Sequence, residues 1–196
     1  MKTILVTYAV KEEYIGLNAK GNNLKYIQTG VGKTKSAFLL AKGILEERPD
    51  FVLNIGTAGT LSHNVGDVFV ATYFIDRDYE TIKLPGIEYK IGGEQLIKNN
   101  LKLREWISAY HKQGICSTGD TFVTEVSSLS GDFVDMEAFA QAYVCKELDV
   151  PFLSVKYITD IIGENSVEHW ENKLADARVA LSQWFEEHNL TGVLID

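Results

Sequence analysis

Short runs of β-branched and aromatic residues alternate along the chain with segments whose apolar residues recur every three or four positions. The first pattern is typical of buried strands, and the second is typical of helices that bury one face. Strands are predicted at residues 2–8, 24–29, 51–55, 67–74, 114–117 and 151–158, and helices at residues 35–47, 96–110, 136–148 and 167–188. Because the two kinds of element alternate, the chain is predicted to form an α/β fold with a largely parallel sheet.

Three of the predicted helices carry an apolar stripe that marks the side expected to face the core. In the first helix the stripe is Ala37, Leu40, Ala41, Ile44 and Leu45. In the third helix it is Met136, Phe139, Ala140, Tyr143, Val144 and Leu148, and in the last it is Leu174, Ala177, Leu181, Trp184 and Phe185. Residues 77–93 contain Pro-Gly and Gly-Gly pairs and are expected to form a mobile loop.

The composition bounds the fold and its partners. A chain of 196 residues with 45% hydrophobic content can bury one core, so residues 1–196 are predicted to form a single domain. The 19 basic against 27 acidic side chains give a net charge of −8, which disfavours nucleic acid and anionic membranes as partners. The apolar runs fall short of the roughly 18 residues that a membrane span needs, and no signal peptide is recognised, so a cytoplasmic location is expected.

Cysteine and histidine spacing gives no indication of a metal site. Cys116 and Cys145 are the only cysteines, each lies in an apolar stretch, and both are predicted to be reduced core residues. The four histidines are scattered along the chain and form no pair at the spacing of metal ligands.

The stretch TGVGKTKSA, residues 29–37, is similar to the end of a phosphate-binding P-loop. A P-loop has a further glycine five positions before Gly32, where the backbone curls around the phosphates. Here that position is Ile27, a β-branched residue that disfavours the positive φ angles of such a loop. The segment is therefore interpreted as a strand-to-helix turn with an exposed Lys33, and not as a site for ATP or GTP.

Polar residues follow four predicted strands, at the sheet edge where ligands of α/β proteins collect. They include Glu13, the small-residue turn GTAGT at residues 56–60, STGDTFV at residues 117–123, and Asp160. Glu137 opens a predicted helix. Carboxylates that meet in one cleft suit cleavage of a glycosidic bond, which needs an acid for the leaving group and a base for water. The alternative is that each is a helix N-terminal acid favoured by the helix dipole.

Five segments together resemble the nucleoside phosphorylase/nucleosidase superfamily, and within it the 5′-methylthioadenosine/S-adenosylhomocysteine nucleosidases. They are AVKEEY, TGVGKTKSA, NIGTAGTL, STGDTFV and VDMEAFAQAYVCKELDVPFLSVKYITD, and they follow the family's order from the first strand to about Gly163. The resemblance implies an α/β fold of three layers, with a central mixed, mostly parallel sheet flanked by helices. It also implies a small-molecule nucleoside as partner, a homodimer, and neither a metal nor an organic cofactor.

The resemblance assigns catalytic roles to individual residues. Asp160 matches the acid that protonates N7 of the purine as the C1′–N9 bond breaks, and Thr159 matches the hydroxyl residue that holds this acid. Glu13 matches the carboxylate that orients the attacking water. Thr57 matches the small hydroxyl residue near that water.

Four further residues match positions at which the family binds its substrate. Glu137 is expected to accept hydrogen bonds from the ribose hydroxyls, and Met136 to pack against the sugar. Phe122 is expected to stack on the purine, while the backbone of Val123 reads the edge of the base. For Phe122 and Val123 the alternative is simple packing in the core.

Residue chemistry favours water over phosphate as the nucleophile. A phosphorylase holds phosphate with arginine side chains, and Arg77 is the only one of the four arginines whose predicted position is near the cleft. Glu13 would also repel a phosphate dianion. A carboxylic acid at Asp160 suits the exocyclic amine of adenine, whereas the 6-oxopurine enzymes of the superfamily commonly have asparagine there.

The predicted reaction is therefore hydrolysis of a 5′-thio-substituted adenosine, such as 5′-methylthioadenosine or S-adenosylhomocysteine, to adenine. Open alternatives are a phosphate-dependent phosphorylase, a nucleosidase for another purine nucleoside such as futalosine, and a non-catalytic nucleoside-binding module. Lys156 stands where the family commonly has arginine, and the chain is shorter than the family in the regions 71–93 and 122–135. The preferred 5′ substituent is therefore left open.

Overall fold

The secondary structure alternates strands and helices along most of the chain. The computed structural model describes residues 1–18, 21–82, 84–97, 100–125, 130–164 and 166–194. The strands are β1 Thr3–Tyr8, β2 Asn23–Gln28, β3 Phe51–Thr60, β4 Val68–Asp76, β5 Lys90–Gly92, β6 Gln113–Thr118, β7 Phe133–Asp135 and β8 Phe152–Ile161. The helices are a 3-10 turn at Lys11–Glu13, α1 Lys33–Glu47, α2 Arg77–Ile82, α3 Gly93–Leu96, α4 Leu101–Ala109, α5 Ala138–Glu147, α6 Ser166–His188 and α7 Leu190–Val193.

One mixed sheet joins these strands in the order β2-β1-β3-β7-β6-β4-β5, and β8 pairs with both β3 and β4. Five pairings are parallel and three antiparallel, so the predicted mixed, mostly parallel sheet is confirmed. Because β7 links β6 to β3, the strands β3, β8, β4, β6 and β7 form a closed ring. β7 runs antiparallel to β3, with Gly59 paired to Val134, so the chain after β7 runs back along β3 towards Thr57.

The core lies on both faces of the sheet because side chains alternate along each strand. In β1, Ile4 and Val6 belong to one buried cluster and Leu5 belongs to the other. Helices α4 and α6 cover the first face, where Leu181 is buried, and helices α1 and α5 cover the second, where Leu40 is buried. The predicted arrangement of three layers is confirmed.

Two predicted strands extend further than expected, one of them through the predicted turn GTAGT. β3 continues through GTAGT to Thr60, and β8 continues through Asp160 to Ile161. The two strands pair in parallel over this whole stretch, with a shift of register between Ala58 and Gly59. Small residues such as those of GTAGT are common in turns. Glycine and alanine also occur within strands, where they let neighbouring strands and side chains approach closely, and the turn prediction was wrong for this reason.

The predicted loop at residues 77–93 contains α2 and β5, so that prediction is wrong in both places. β5 is held by antiparallel pairing with β4, and α2 begins at the buried Arg77. The predicted helix at residues 96–110 is divided into α3 and α4, with residues 98 and 99 outside the described part of the chain. The side chain of Asn100 accepts a hydrogen bond from the Leu103 N–H at 2.9 Å and so caps α4.

The predicted inward stripe is confirmed for α6, where all five of its residues are buried. For α5 it is partly wrong, because the helix buries Phe139, Ala142 and Cys145 while Tyr143 is 42% exposed. α5 packs against α1, and the small inward side chains of Ala142 and Cys145 allow the two helices to come close. In α1 the stripe is also partly wrong, because Leu40 and Ile44 are buried while Leu45 is exposed.

The predicted chemistry of the cysteines is confirmed, since Cys116 and Cys145 are buried and unpaired. Across the described residues, His, Cys, Asp and Glu side chains form no group of three that could hold a metal ion. Within the same part of the chain, no helix combines the length and apolar character of a membrane span.

Candidate active site

A cavity of about 310 Å³ brings together most of the residues that the resemblance singles out. Seven of the eight line it, namely Glu13, Thr57, Phe122, Val123, Met136, Glu137 and Asp160. The eighth, Thr159, is buried behind the cavity wall, next to Asp160. Sequence reasoning missed a further lining residue, Trp170 of α6.

Glu13 is buried at the end of the 3-10 turn, and four donors hold its carboxylate. Oε2 accepts hydrogen bonds from the N–H groups of Ala9 at 3.0 Å and Val10 at 3.2 Å. Oε1 accepts from the N–H and from the hydroxyl of Thr57, each at 2.8 Å. Because both oxygens are bound, the plane of this carboxylate is fixed relative to the cavity.

Asp160 lies on β8 and is 2% exposed. The Thr159 hydroxyl donates to its Oδ1 at 2.8 Å. On the neighbouring strand, Gly59 pairs with Asp160, and a Cβ atom added at Gly59 would lie 2.8 Å from Asp160 Oδ2. The missing side chain at Gly59 therefore makes room for the carboxyl group.

An ion pair that the sequence did not reveal borders the cavity, which Asp135 helps to line. Lys156 Nζ is 2.9 Å from Asp135 Oδ2, and both side chains are almost fully buried. Burial is the largest single influence on Asp135 and would raise its pKa, but the Lys156 charge together with hydrogen bonds from Thr118, Lys156 and the Ala138 N–H lowers that pKa. Burial would likewise lower the pKa of Lys156, and the carboxylate of Asp135, followed by that of Glu137, raises it instead.

Glu137 lies beside this ion pair, and the pKa of its carboxyl group is raised. Burial, followed by repulsion from Asp135, raises its pKa to about 8, although Lys156 acts in the opposite direction. The N–H of Gly32 donates to Glu137 Oε1 at 3.0 Å. Gly32 has a φ of 97°, which favours glycine, and so the second glycine of TGVGKTKSA serves a carboxyl group and not a phosphate.

The prediction that Lys33 is exposed is wrong. Its side chain is 16% exposed, and Nζ lies 2.9 Å from Asp76 Oδ2 and 2.6 Å from Asp78 Oδ2. Burial would lower the pKa of Lys33, but hydrogen bonds to the two aspartates raise it. These two residues are distant in sequence, so the local pattern around Lys33 did not reveal them.

Arg77 lines the cavity as expected, but its guanidinium group is hydrogen-bonded to main-chain carbonyl oxygens. Nη1 donates to the carbonyl oxygens of Ser117 at 2.8 Å and Asp135 at 2.9 Å. Nη2 donates to the carbonyl oxygens of Gly119 at 3.1 Å and of Thr121. The four N–H groups of the two terminal nitrogens are thus engaged, and they anchor the segment that leads to Phe122.

Apolar side chains form the remaining wall. Phe122, Val123 and Met136 are half-buried. The rings of Trp170 and Phe122 pack edge to face, with 6.0 Å between their centroids. The indole Nε1 of Trp170 donates to the Thr57 hydroxyl at 2.9 Å. Trp170 lies four residues before Leu174, so its spacing pointed to the core and not to the site.

The fold and the cavity define a class of protein that the sequence comparison identifies. The model of the phosphorylase superfamily matches residues 6–183, and the chain belongs to this superfamily. Within it, the chain is similar to 5′-methylthioadenosine/S-adenosylhomocysteine nucleosidases. The protein of that name from Bacillus cytotoxicus is 32% identical over 167 residues, which cover 74% of this chain and 71% of the relative.

Solved structures share the fold at lower identity. A 5′-methylthioadenosine/S-adenosylhomocysteine nucleosidase from Colwellia psychrerythraea, in complex with adenine, superposes with a TM-score of 0.78 at 24% identity, covering 98% of this chain and 96% of the other. Futalosine hydrolase of Helicobacter pylori superposes with a TM-score of 0.80 at 20% identity, covering 96% and 97%. The two likenesses demonstrate the common fold.

Proposed function

We propose that this chain hydrolyses the N-glycosidic bond of 5′-methylthioadenosine, S-adenosylhomocysteine or a related 5′-substituted adenosine, releasing adenine and the thioribose product. The chain is a purine nucleosidase, in keeping with its relatives. The observation that carries the proposal is the meeting of Glu13, Glu137 and Asp160, three buried carboxyl groups, in the lining of one cavity. An acid and a base on opposite sides of a sugar are what glycosidic cleavage requires.

Asp160 is the proposed acid. Its proton passes to N7 of the purine as the C1′–N9 bond breaks, and the electrons of that bond move to the base, which leaves as neutral adenine. The Thr159 hydroxyl holds one oxygen of the carboxyl group, and Gly59 leaves the other oxygen room. A positioned acid of this kind typically contributes about 10²–10⁴-fold to the rate.

Glu13 is the proposed base. It orients a water molecule and accepts its proton as the new bond to C1′ forms. Thr57 supports this role through its N–H and its hydroxyl, both of which donate to Glu13 Oε1.

The sugar and the base are assigned to the remaining lining residues. Glu137 accepts hydrogen bonds from the ribose hydroxyls, and Met136 packs against the sugar. Phe122 stacks on the purine, and the main chain of Val123 pairs with its edge. The Arg77 contacts to Gly119 and Thr121 support this proposal because they hold the segment on which Phe122 and Val123 lie.

Water is the proposed nucleophile, and the charges around the cavity support it. Lys33 is paired with two aspartates, and the terminal nitrogens of Arg77 are engaged by four carbonyl oxygens. A phosphate dianion needs cations or N–H groups that it can bind, and it would lie beside the Glu13 carboxylate.

We further propose a cytoplasmic homodimer. Phe38 and Leu45 of α1 are each 68% exposed, and Tyr143 of the adjacent α5 and Leu148 just after it are exposed as well. An apolar surface of this kind on two packed helices is typical of a subunit interface. The buried, unpaired state of both cysteines suits a reducing compartment. Light scattering of the purified chain and of Phe38→Glu tests the dimer, because the added charge is expected to yield monomers.

The decisive experiment follows release of free base from 5′-methylthioadenosine, S-adenosylhomocysteine, 5′-deoxyadenosine, adenosine, inosine and futalosine, each with and without phosphate. We expect adenine from the 5′-thio substrates at a rate that phosphate does not change. Glu13→Gln is expected to abolish release, while Glu12→Gln, which alters the exposed neighbour, is the matched control. A strict need for phosphate, or inert wild-type protein whose Glu13→Gln variant binds nucleoside equally well, would overturn the proposal.

A further inference from the structure

Trp170 connects helix α6 to the carboxylate of Glu13 through one hydroxyl group. Its Nε1 lies 2.9 Å from Thr57 Oγ1, and that oxygen lies 2.8 Å from Glu13 Oε1. Trp170 and Thr57 are separated by 113 positions in the chain, so the contact is a product of the fold. Sequence motifs around Thr57 and Glu13 do not include Trp170.

The chemistry of the three groups fixes the direction of both hydrogen bonds. An indole N–H can only donate, and an ionised carboxylate can only accept. The Thr57 hydroxyl has one proton, and it accepts from Trp170, so its own proton points to Glu13. In a chain of this kind each bond polarises the next, which strengthens the donation from Thr57 to Glu13.

We propose that Trp170 is a positioning residue for the proposed hydrolysis, acting on Glu13 through the hydroxyl of Thr57. Of the four donors that hold the Glu13 carboxylate, three are main-chain N–H groups and the fourth is this hydroxyl. The main-chain donors are fixed by the fold, whereas a hydroxyl rotates. Trp170 removes that freedom and keeps the carboxylate oriented towards the attacking water, and its ring closes the cavity beside Phe122.

The hydrogen bond can be tested without any activity. The indole N–H groups of Trp106, Trp170 and Trp184 give separate signals in a ¹⁵N–¹H NMR spectrum, and Trp170→Phe assigns one of them by its loss. We expect Thr57→Val to shift the Trp170 signal and to leave the other two in place, because those indoles donate to His188 and Tyr110. An unmoved Trp170 signal would overturn the proposal.

The effect on the reaction is tested by a double-mutant cycle of Trp170→Phe and Thr57→Val. Phenylalanine keeps an aromatic ring on the side of Phe122 and removes the N–H donor with the five-membered ring that carries it, so kcat is expected to fall about fivefold to tenfold while KM stays within about twofold. If Trp170 acts through the hydroxyl, the double variant has the kcat of Thr57→Val alone. If the fold-losses in kcat of the two single variants multiply in the double variant, the two residues act independently and the proposal is overturned.

Trp106→Phe is the control, because it removes an indole donor that lies outside the cavity lining. Its kcat is expected to equal that of the wild type. The inference rests on the proposed nucleosidase activity for its kinetic part alone. A wild-type protein that releases no base would refute the activity, while the NMR result would still decide whether Trp170 holds Thr57.

Discussion

Gly59 and Asp160 face each other across β3 and β8, so closely that a methyl group on Gly59 would come within 2.8 Å of Asp160 Oδ2. The register of the two strands shifts just before this pair, between Ala58 and Gly59. The absence of a side chain at Gly59 thus determines where the carboxyl group of Asp160 lies.

Gly59→Ala is expected to inactivate the enzyme without unfolding it. The end of the Asp160 side chain can turn away from the new methyl group, so we expect the fold to tolerate the change, but the proposed acid then leaves the cavity wall. A misplacement of about 1 Å in a catalytic group can cost about 100-fold in rate, and we expect a loss of this size in kcat for adenine release. Thermal unfolding is expected to change little.

Gly16→Ala is the matched control, because a Cβ atom added there meets no atom of the described residues within 4 Å. Activity of Gly59→Ala within about threefold of the wild type would contradict this account of how Asp160 is positioned.

The pKa of Glu137 makes stability depend on pH. The folded protein raises this pKa to about 8 from its ordinary value of 4.5, so between these two values the folded state binds more protons than the unfolded state. The free energy of unfolding is therefore expected to fall as pH rises through this window, and the contribution of Glu137 is lost above about pH 8. Urea unfolding at a series of pH values measures this fall.

Glu137→Gln removes the titrating group and is expected to flatten the fall between these pH values. Glu12→Gln is the matched control for the loss of one carboxylate. Equal slopes for the wild type and Glu137→Gln would show that Glu137 does not hold its proton in the folded protein.

Local sequence patterns predicted the fold class correctly, because the fold class follows from the order of strands and helices and each of these is marked by its own local pattern. The alternation of strand and helix patterns gave the α/β class, and the stripe from Leu174 to Phe185 gave the buried face of α6 correctly. The predicted superfamily is confirmed by the match over residues 6–183. The roles of Glu13 and Asp160 stay predictions, although the structure brings both into one cavity lining.

The features that sequence reasoning missed all depend on contacts between distant residues. Lys33 is largely covered because Asp76 and Asp78 pair with it, and Lys156 is buried because Asp135 pairs with it. The sequence next to a charged residue does not reveal a partner that is distant along the chain, so such a residue is ordinarily predicted to be exposed. The buried face of α5 was misjudged because its small inward side chains follow from packing against α1.

Lys156→Met is expected to destabilise the fold strongly. The substitution leaves Asp135 buried without its cation, and breaking a buried ion pair in this way typically costs about 3–5 kcal/mol. Urea unfolding at neutral pH measures the loss. Lys156→Arg keeps the charge and is the control, with a smaller expected loss. An unfolding free energy for Lys156→Met within about 1 kcal/mol of the wild type would mean that the pair contributes little.

Arg77→Lys is expected to weaken substrate binding. A guanidinium group reaches four carbonyl oxygens in a planar fork, whereas an ammonium group has three donors on one nitrogen. The main chain next to Phe122 and Val123 then loses part of its anchor, and we expect KM to rise about tenfold with a smaller change in kcat.

Arg104→Lys on α4 makes the same substitution outside the cavity lining and is expected to leave KM unchanged. Adding phosphate to the wild type and to both variants completes the test. Because the terminal nitrogens of Arg77 are hydrogen-bonded to carbonyl oxygens, we expect added phosphate to leave the rate of base release unchanged. Stimulation of the wild type by phosphate, lost in Arg77→Lys, would mean that the guanidinium group leaves its main-chain partners to bind the anion, and that the enzyme is a phosphorylase.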